Sequence, residues 1–306
     1  MNPAFSVIFL TTLSGAGQGL FLALFGADLL DAARGRASLA PLFVAAAVIG
    51  SLAFAGAGLA ASFFHLGHPE RAWRSAAMWR SSWLAREVIA APLFMALVAA
   101  YGALHWLGML QGALVAGALA AAACLALFVC TGMIYACLKF LQEWHSPLTV
   151  LNFILLGSAS GLAAATALAG GLDAALEPAY RIAALIALTL AAASRAAALV
   201  RNSRLRPRSN LQTAIGVKHP QIAQKAQGAM GGSFNTREFF HGAGAAQLTR
   251  VKWFFAAAGF AAPAALLALG SPAAAFLVQF AGLLAERWYF FAEARHPQNL
   301  YYQSIA

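Results

Sequence analysis

The chain has 306 residues, 61% of them hydrophobic and 10% charged, with a mean hydropathy of +0.72 and a formal net charge of +10. Soluble domains average roughly 45–50% apolar and 25% charged residues, so a pair of water-soluble domains is excluded and an integral membrane protein is indicated. About 20 apolar residues in helical conformation cross a bilayer core. On that measure the sequence predicts an all-α polytopic membrane protein, a bundle of eight transmembrane helices forming one membrane domain over 1–306.

The first span, near 5–30, has no basic leader and is longer than the apolar stretch of a signal peptide, so it is expected to be retained. Its segment SGAGQG (14–19) puts Gly15 and Gly19 one turn apart, which lets helix backbones approach closely in lipid. Gln18 needs a polar partner there, and Asp28 and Asp31 are expected at the interface. The second span, near 39–64, carries Gly50, Gly56 and Gly58 and ends at His65. The third, near 84–107, contains Tyr101 and His105. The fourth, near 113–138, holds Cys124, Cys130 and Cys137, too far apart along one helix to bond each other and read as packing residues. Spans five and six lie near 149–169 and 180–200. A long basic connection over 202–250 precedes the last two, near 252–269 and 272–291, which a tight hairpin joins.

With eight spans, all of the 20 Lys and Arg except Arg34, Arg36 and Arg181 fall on the side of the termini. The positive-inside rule then places both termini in the cytoplasm, with the chain in the bacterial inner membrane. The net charge follows from this asymmetry and from contact with anionic membrane lipid, and no nucleic-acid module is present. Five of the seven tryptophans, Trp79, Trp83, Trp144, Trp253 and Trp288, sit near the same ends of the spans.

A haem b needs two histidines deep in facing spans, and only His105 lies within one. Neither haem nor an iron–sulfur cluster is therefore expected in this chain, and no Gly-rich phosphate loop is present. Ionisable residues at mid-membrane depth, the mark of ion pathways, are not expected either.

The stretch HLGHPERAWRSAAMWRSSWLARE (65–87) departs from this pattern. His65 closes the second span, Gly67 and Pro69 break the helix, Arg71 follows in the turn, and Arg86 and Glu87 lie one turn inside the third span. A histidine and a carboxylate on neighbouring helices suit a quinone headgroup, which needs a donor to a carbonyl and a group to carry a proton. The alternative from residue types alone is an anchored interfacial loop whose Arg and Glu satisfy each other.

The segment SFFHLGHPERAWRS…SSWLAREVIAAP resembles the signature of the DmsC family, the membrane anchors of dimethyl sulfoxide reductase-type molybdoenzymes. The resemblance implies an anchor that exchanges electrons between menaquinone or ubiquinone and an iron–sulfur electron-transfer subunit, which in turn serves a molybdopterin catalytic subunit. It implies quinone-binding positions at His65, Gly67, Arg71 and Glu87, with Tyr101 as the counterpart of a tyrosine in the third span. On this reading Gly67 is expected to allow close backbone approach, Arg71 to orient the loop or Glu87, and Arg86 to neutralise lipid or partner charge. The segments NPAFSVIFLTTLSGAGQG, EWHSPLTVLNF, TAIGVKHPQIAQKAQGAMGGSFNTREFFHG and RWYFFAEARHPQNLYYQ resemble a subgroup, the SoeC-type anchors of cytoplasmic sulfite dehydrogenase complexes. In the long connection, Arg237 and Glu238 beside Phe239 and Phe240, expected to be exposed, offer a docking patch for the partner. The rival functions are a purely structural scaffold and a secondary transporter; the internal repeats and broken mid-span helices of a transporter are not evident.

Overall fold

The computed structural model describes residues 1–35, 39–223, 225 and 239–301, and for His65, Pro69, Gln298 and Tyr301 the backbone alone. Among the described residues every regular element is helical. The long helices are α1 (Phe5–Ala33), α2 (Pro41–Ser62), α3 (Trp83–Trp106), α4 (Leu110–Ala136), α5 (Pro147–Leu172) and α6 (Glu177–Ser203). A five-residue α7 (Leu211–Ile215) follows, then α8 (Ala245–Ala268), α9 (Pro272–Glu293) and a final turn, α10 (Gln298–Tyr301). Two 3-10 segments, Phe63–His65 and Pro69–Met78, connect α2 to α3.

Seven of these helices, α1 to α6 and α8, are long and apolar enough to cross a membrane. The expected count of eight is not met on that criterion. The residues near 272–291 do form a helix of 22 residues, α9, but Gln279, Glu286 and Arg287 make it too polar to qualify.

Helix ends follow local chemistry. Ser82 caps α3 by accepting from the Ala85 amide at 3.3 Å, and Ser146 caps α5 by accepting from Leu148 at 3.2 Å. Proline opens α2, α5 and α9, where its missing N–H costs nothing. Inside α8, Pro263 follows a π-helical turn, Ala257–Ala261, which absorbs the backbone bond that proline cannot make. Gly270, at φ +74°, makes the turn between α8 and α9.

The bundle is organised around α1, which packs on α2, α4, α5 and α9, while α3 pairs with α4 and α5 with α6. Its contact with α5 is backbone on backbone: a Cβ on Gly161 would fall inside the chain at Gly19 and Leu20, and one on Gly19 inside Gly157. The close approach read from Gly15 and Gly19 is thus made, with two α5 glycines as partners. Phe21, Phe43, Phe94 and Tyr101 fill the centre of the largest apolar cluster. At the end of the bundle where α1 and α5 start, Tyr135, Trp144, Phe153, Phe290 and Phe291 form a second, aromatic cluster. Trp144 is buried there and donates through Nε1 to the Phe290 carbonyl at 2.9 Å, so it is a core residue and not an interfacial anchor.

Candidate functional site

The 65–87 connection divides into an exposed surface and one inward-facing group. The backbone of His65 closes the short 3-10 turn at the end of α2. Gly67 is exposed, and a Cβ there would meet open space, so within this chain no close approach requires a glycine. Arg71 is exposed and pairs with neighbouring Glu70 at 3.6 Å, while His68 Nδ1 lies 3.1 Å from the same carboxylate. Of the two roles expected for Arg71, the loop or Glu87, the recorded ion pair lies within the loop. Exposed pairs of this kind contribute roughly 0–1 kcal/mol.

Arg86 likewise acts within the chain. Its guanidinium donates to the carbonyls of Trp79 at 2.9 Å and Arg80 at 2.8 Å and lies 4.2 Å from the Trp83 ring centre. It ties the end of the 3-10 segment to the first turn of α3.

Glu87 is different. It lies one turn into α3, is partly buried, and accepts a short hydrogen bond from the Thr131 hydroxyl on α4. It forms no ion pair among the described residues. Its side chain borders an internal cavity of about 20 Å³ walled by α1, α4, α5 and α9, with Thr12, Gln18, Ser160 and Arg287 among the lining residues. Arg287 packs its guanidinium 3.8 Å from the Phe153 ring centre and 3.7 Å from Glu286. Glu286 in turn lies 2.6 Å from Arg195 of α6, which reaches Glu293 at 3.6 Å. Arg195, Glu286 and Arg287 are almost wholly buried. Toward the C-terminal ends of α6 and α9, then, buried ionisable groups are present and paired across the two helices.

Tyr101 does not join this site. Fourteen residues of α3 separate it from Glu87, about 21 Å at 1.5 Å per residue. Its hydroxyl donates to Asp28 Oδ2 at 3.0 Å, and His105 Nε2 lies 2.9 Å from the same oxygen. Asp28 is consequently buried at the other end of the bundle, where an interfacial position was expected.

In the docking patch, Arg237 and Glu238 lie outside the described residues. Phe239 and Phe240 are half-buried, not exposed. Phe239 stacks on His296 at 3.8 Å between ring centres with the planes 4° apart, and Phe140 approaches the same ring edge-on at 5.5 Å. Burial holds the His296 imidazole below its ordinary pKa.

The residues missed by sequence reasoning are Thr131, Thr12, Ser160 and Arg287. A lone hydroxyl in an apolar helix carries no distinctive pattern, and Arg287 read as one more basic residue at a membrane edge.

A family model described as DMSO reductase anchor subunit (DmsC) matches residues 1–216. The chain is also similar to the sulfite dehydrogenase C-subunit of Allochromatium vinosum, 55% identical over 325 aligned positions that cover all of both chains.

Proposed function

The chain belongs to the DmsC family of DMSO reductase anchor subunits, and on that premise we propose that it anchors a molybdopterin oxidoreductase complex and exchanges electrons between the quinone pool and an iron–sulfur partner subunit. The likeness to a sulfite dehydrogenase subunit supports sulfite, ahead of dimethyl sulfoxide, as the substrate of the catalytic partner.

The observation that carries this reading is Glu87: a carboxyl group one turn inside an apolar helix, bonded to the Thr131 hydroxyl and with no ion pair among the described residues. A carboxyl group removed from water without a partner charge is suited to taking up and releasing a proton. Quinone reduction needs two electrons, from the partner's cluster, and two protons. His65 offers one donor to a carbonyl, and Glu87 passes on a proton. The 20 Å³ cavity is far too small for a quinone ring. The headgroup is therefore read as sitting outside this cavity, and the exposed Phe63, Phe64 and Leu66 at the end of α2 offer an apolar approach open to an isoprenoid tail.

The test is His65→Leu in membranes carrying the whole complex. Assembly and activity with a soluble electron acceptor should be retained, while turnover with decylubiquinone or menadione falls about 10²-fold. Normal quinone turnover in an assembled His65→Leu complex would favour a structural scaffold instead.

We read α9 as an eighth span. At 22 residues it extends about 33 Å, and its charges are paired inside the bundle. Both termini then lie on the Lys- and Arg-rich side, the cytoplasmic face of the bacterial inner membrane, where the partner docks. Alkaline phosphatase fused after Ala306 should be inactive; high activity would reverse the orientation.

A further inference from the structure

The cavity behind Glu87 is too small for substrate and too polar to be a packing defect. Three buried oxygens that line it, Thr12 Oγ1, Gln18 Oε1 and Ser160 Oγ, have no hydrogen-bond partner among the described residues. Gln18 commits its amide nitrogen to Ser14, at 3.2 Å from the carbonyl and 3.0 Å from the hydroxyl, which leaves Oε1 as a fixed acceptor. Unpartnered buried oxygens are costly, and most in folded proteins are satisfied by protein or by water. One buried water needs about 10–15 Å³ and two to four polar partners; the cavity has about 20 Å³ and these three, with the Glu87 carboxyl as a fourth.

We propose that this cavity is a proton antechamber: a single water, held by Gln18, Ser160 and Thr12, exchanges protons with Glu87 on the side away from the quinone. This rests on the quinone reading above and goes beyond it by assigning the inner face of the site. When quinone is reduced by two electrons from the partner, the O–H bond of the Glu87 carboxyl breaks and its proton goes to one quinone oxygen, while the N–H bond of the His65 imidazolium breaks and its proton goes to the other. The water then gives a proton to the carboxylate and recovers one from bulk. When quinol is oxidised, each transfer runs in reverse, and no other oxidant or reductant is needed. Gln18 and Ser160 are positioning residues, since they act on the water and do not touch the quinone.

The test uses membranes with the complete complex, sulfite as donor, decylubiquinone as quinone and ferricyanide as soluble acceptor. Ser160→Ala removes one unbonded oxygen and Gln18→Leu removes the acceptor at similar size. Ferricyanide activity should be unchanged. Quinone turnover per assembled complex should fall about tenfold in Gln18→Leu and several-fold in Ser160→Ala, a part of the effect of losing the acid–base group itself. The ratio of rates in H2O and D2O should rise in both, which a purely structural role would not produce. Unchanged turnover and isotope ratio in these variants, beside a collapse in Glu87→Gln, would overturn the antechamber and leave the quinone site standing. Full turnover in Glu87→Gln would overturn both. If Gln18→Leu does not assemble, Ser160→Ala and Thr12→Val, which each delete one unbonded oxygen, carry the same readings.

Discussion

Replacing Glu87 with glutamine should lower electron exchange with quinone by about 10²-fold or more while the complex still assembles and still serves a soluble acceptor. Glutamine keeps the length of the side chain and can still accept from Thr131, so the contact between α3 and α4 survives. What it lacks is a proton to exchange. Glu87→Leu removes the acceptor as well and leaves the Thr131 hydroxyl without its partner, so it should add a loss of stability to the same loss of turnover. Quinone turnover normalised to assembled complex, measured for both variants in one membrane preparation, separates these effects. A Glu87→Gln complex that turns over quinone at the normal rate would remove Glu87 from the mechanism.

The largest effect on stability is expected from Glu286→Leu. Glu286 lies between two buried cations, 2.6 Å from Arg195 and 3.7 Å from Arg287. Removing it leaves two buried guanidinium groups in a low-dielectric interior, with Glu293, at 3.6 Å from Arg195, the one other carboxylate paired with either among the described residues. Breaking a buried pair in this way costs about 3–5 kcal/mol. Replacing Arg195, Glu286 and Arg287 together with apolar residues should recover much of that loss, because no guanidinium then stays buried without its carboxylate. Unfolding of the purified chain in mixed micelles would read both. Equal stability of Glu286→Leu and the wild type would show that the cluster is not energetically coupled.

The helical class, the positions of the first six spans and the glycine contact of α1 were legible because each depends on composition or spacing along one helix. Glu87 was legible for a related reason, as a charge one turn inside an apolar run. Which residues lie beside Glu87 and which do not depends on how the helices and the chain ends face each other. Tyr101 was grouped with Glu87 because both lie on α3, but helical rise puts them about 21 Å apart, and Tyr101 belongs with Asp28 and His105. Arg71 had a nearer partner in Glu70, which the exposed turn supplies locally. Phe239 looked exposed because its stacking partner, His296, comes from the far end of the chain. The polar lining of the cavity comes one residue at a time from different helices, so no single stretch of sequence announces it.

The polarity of α9 also bears on the order in which the chain is built. A charged residue can cost up to about 3 kcal/mol to insert near the centre of a lone helix, so a segment bearing Gln279, Glu286 and Arg287 has little tendency to leave the translocon for lipid alone. Its counter-charge, Arg195, is on α6, synthesised well before it, and its hairpin partner α8 directly precedes it. The last two helices are therefore expected to enter the membrane together, late, and against a preformed surface of α5 and α6. Biogenesis would then be vectorial, and the buried ion cluster would be the latch that marks its completion.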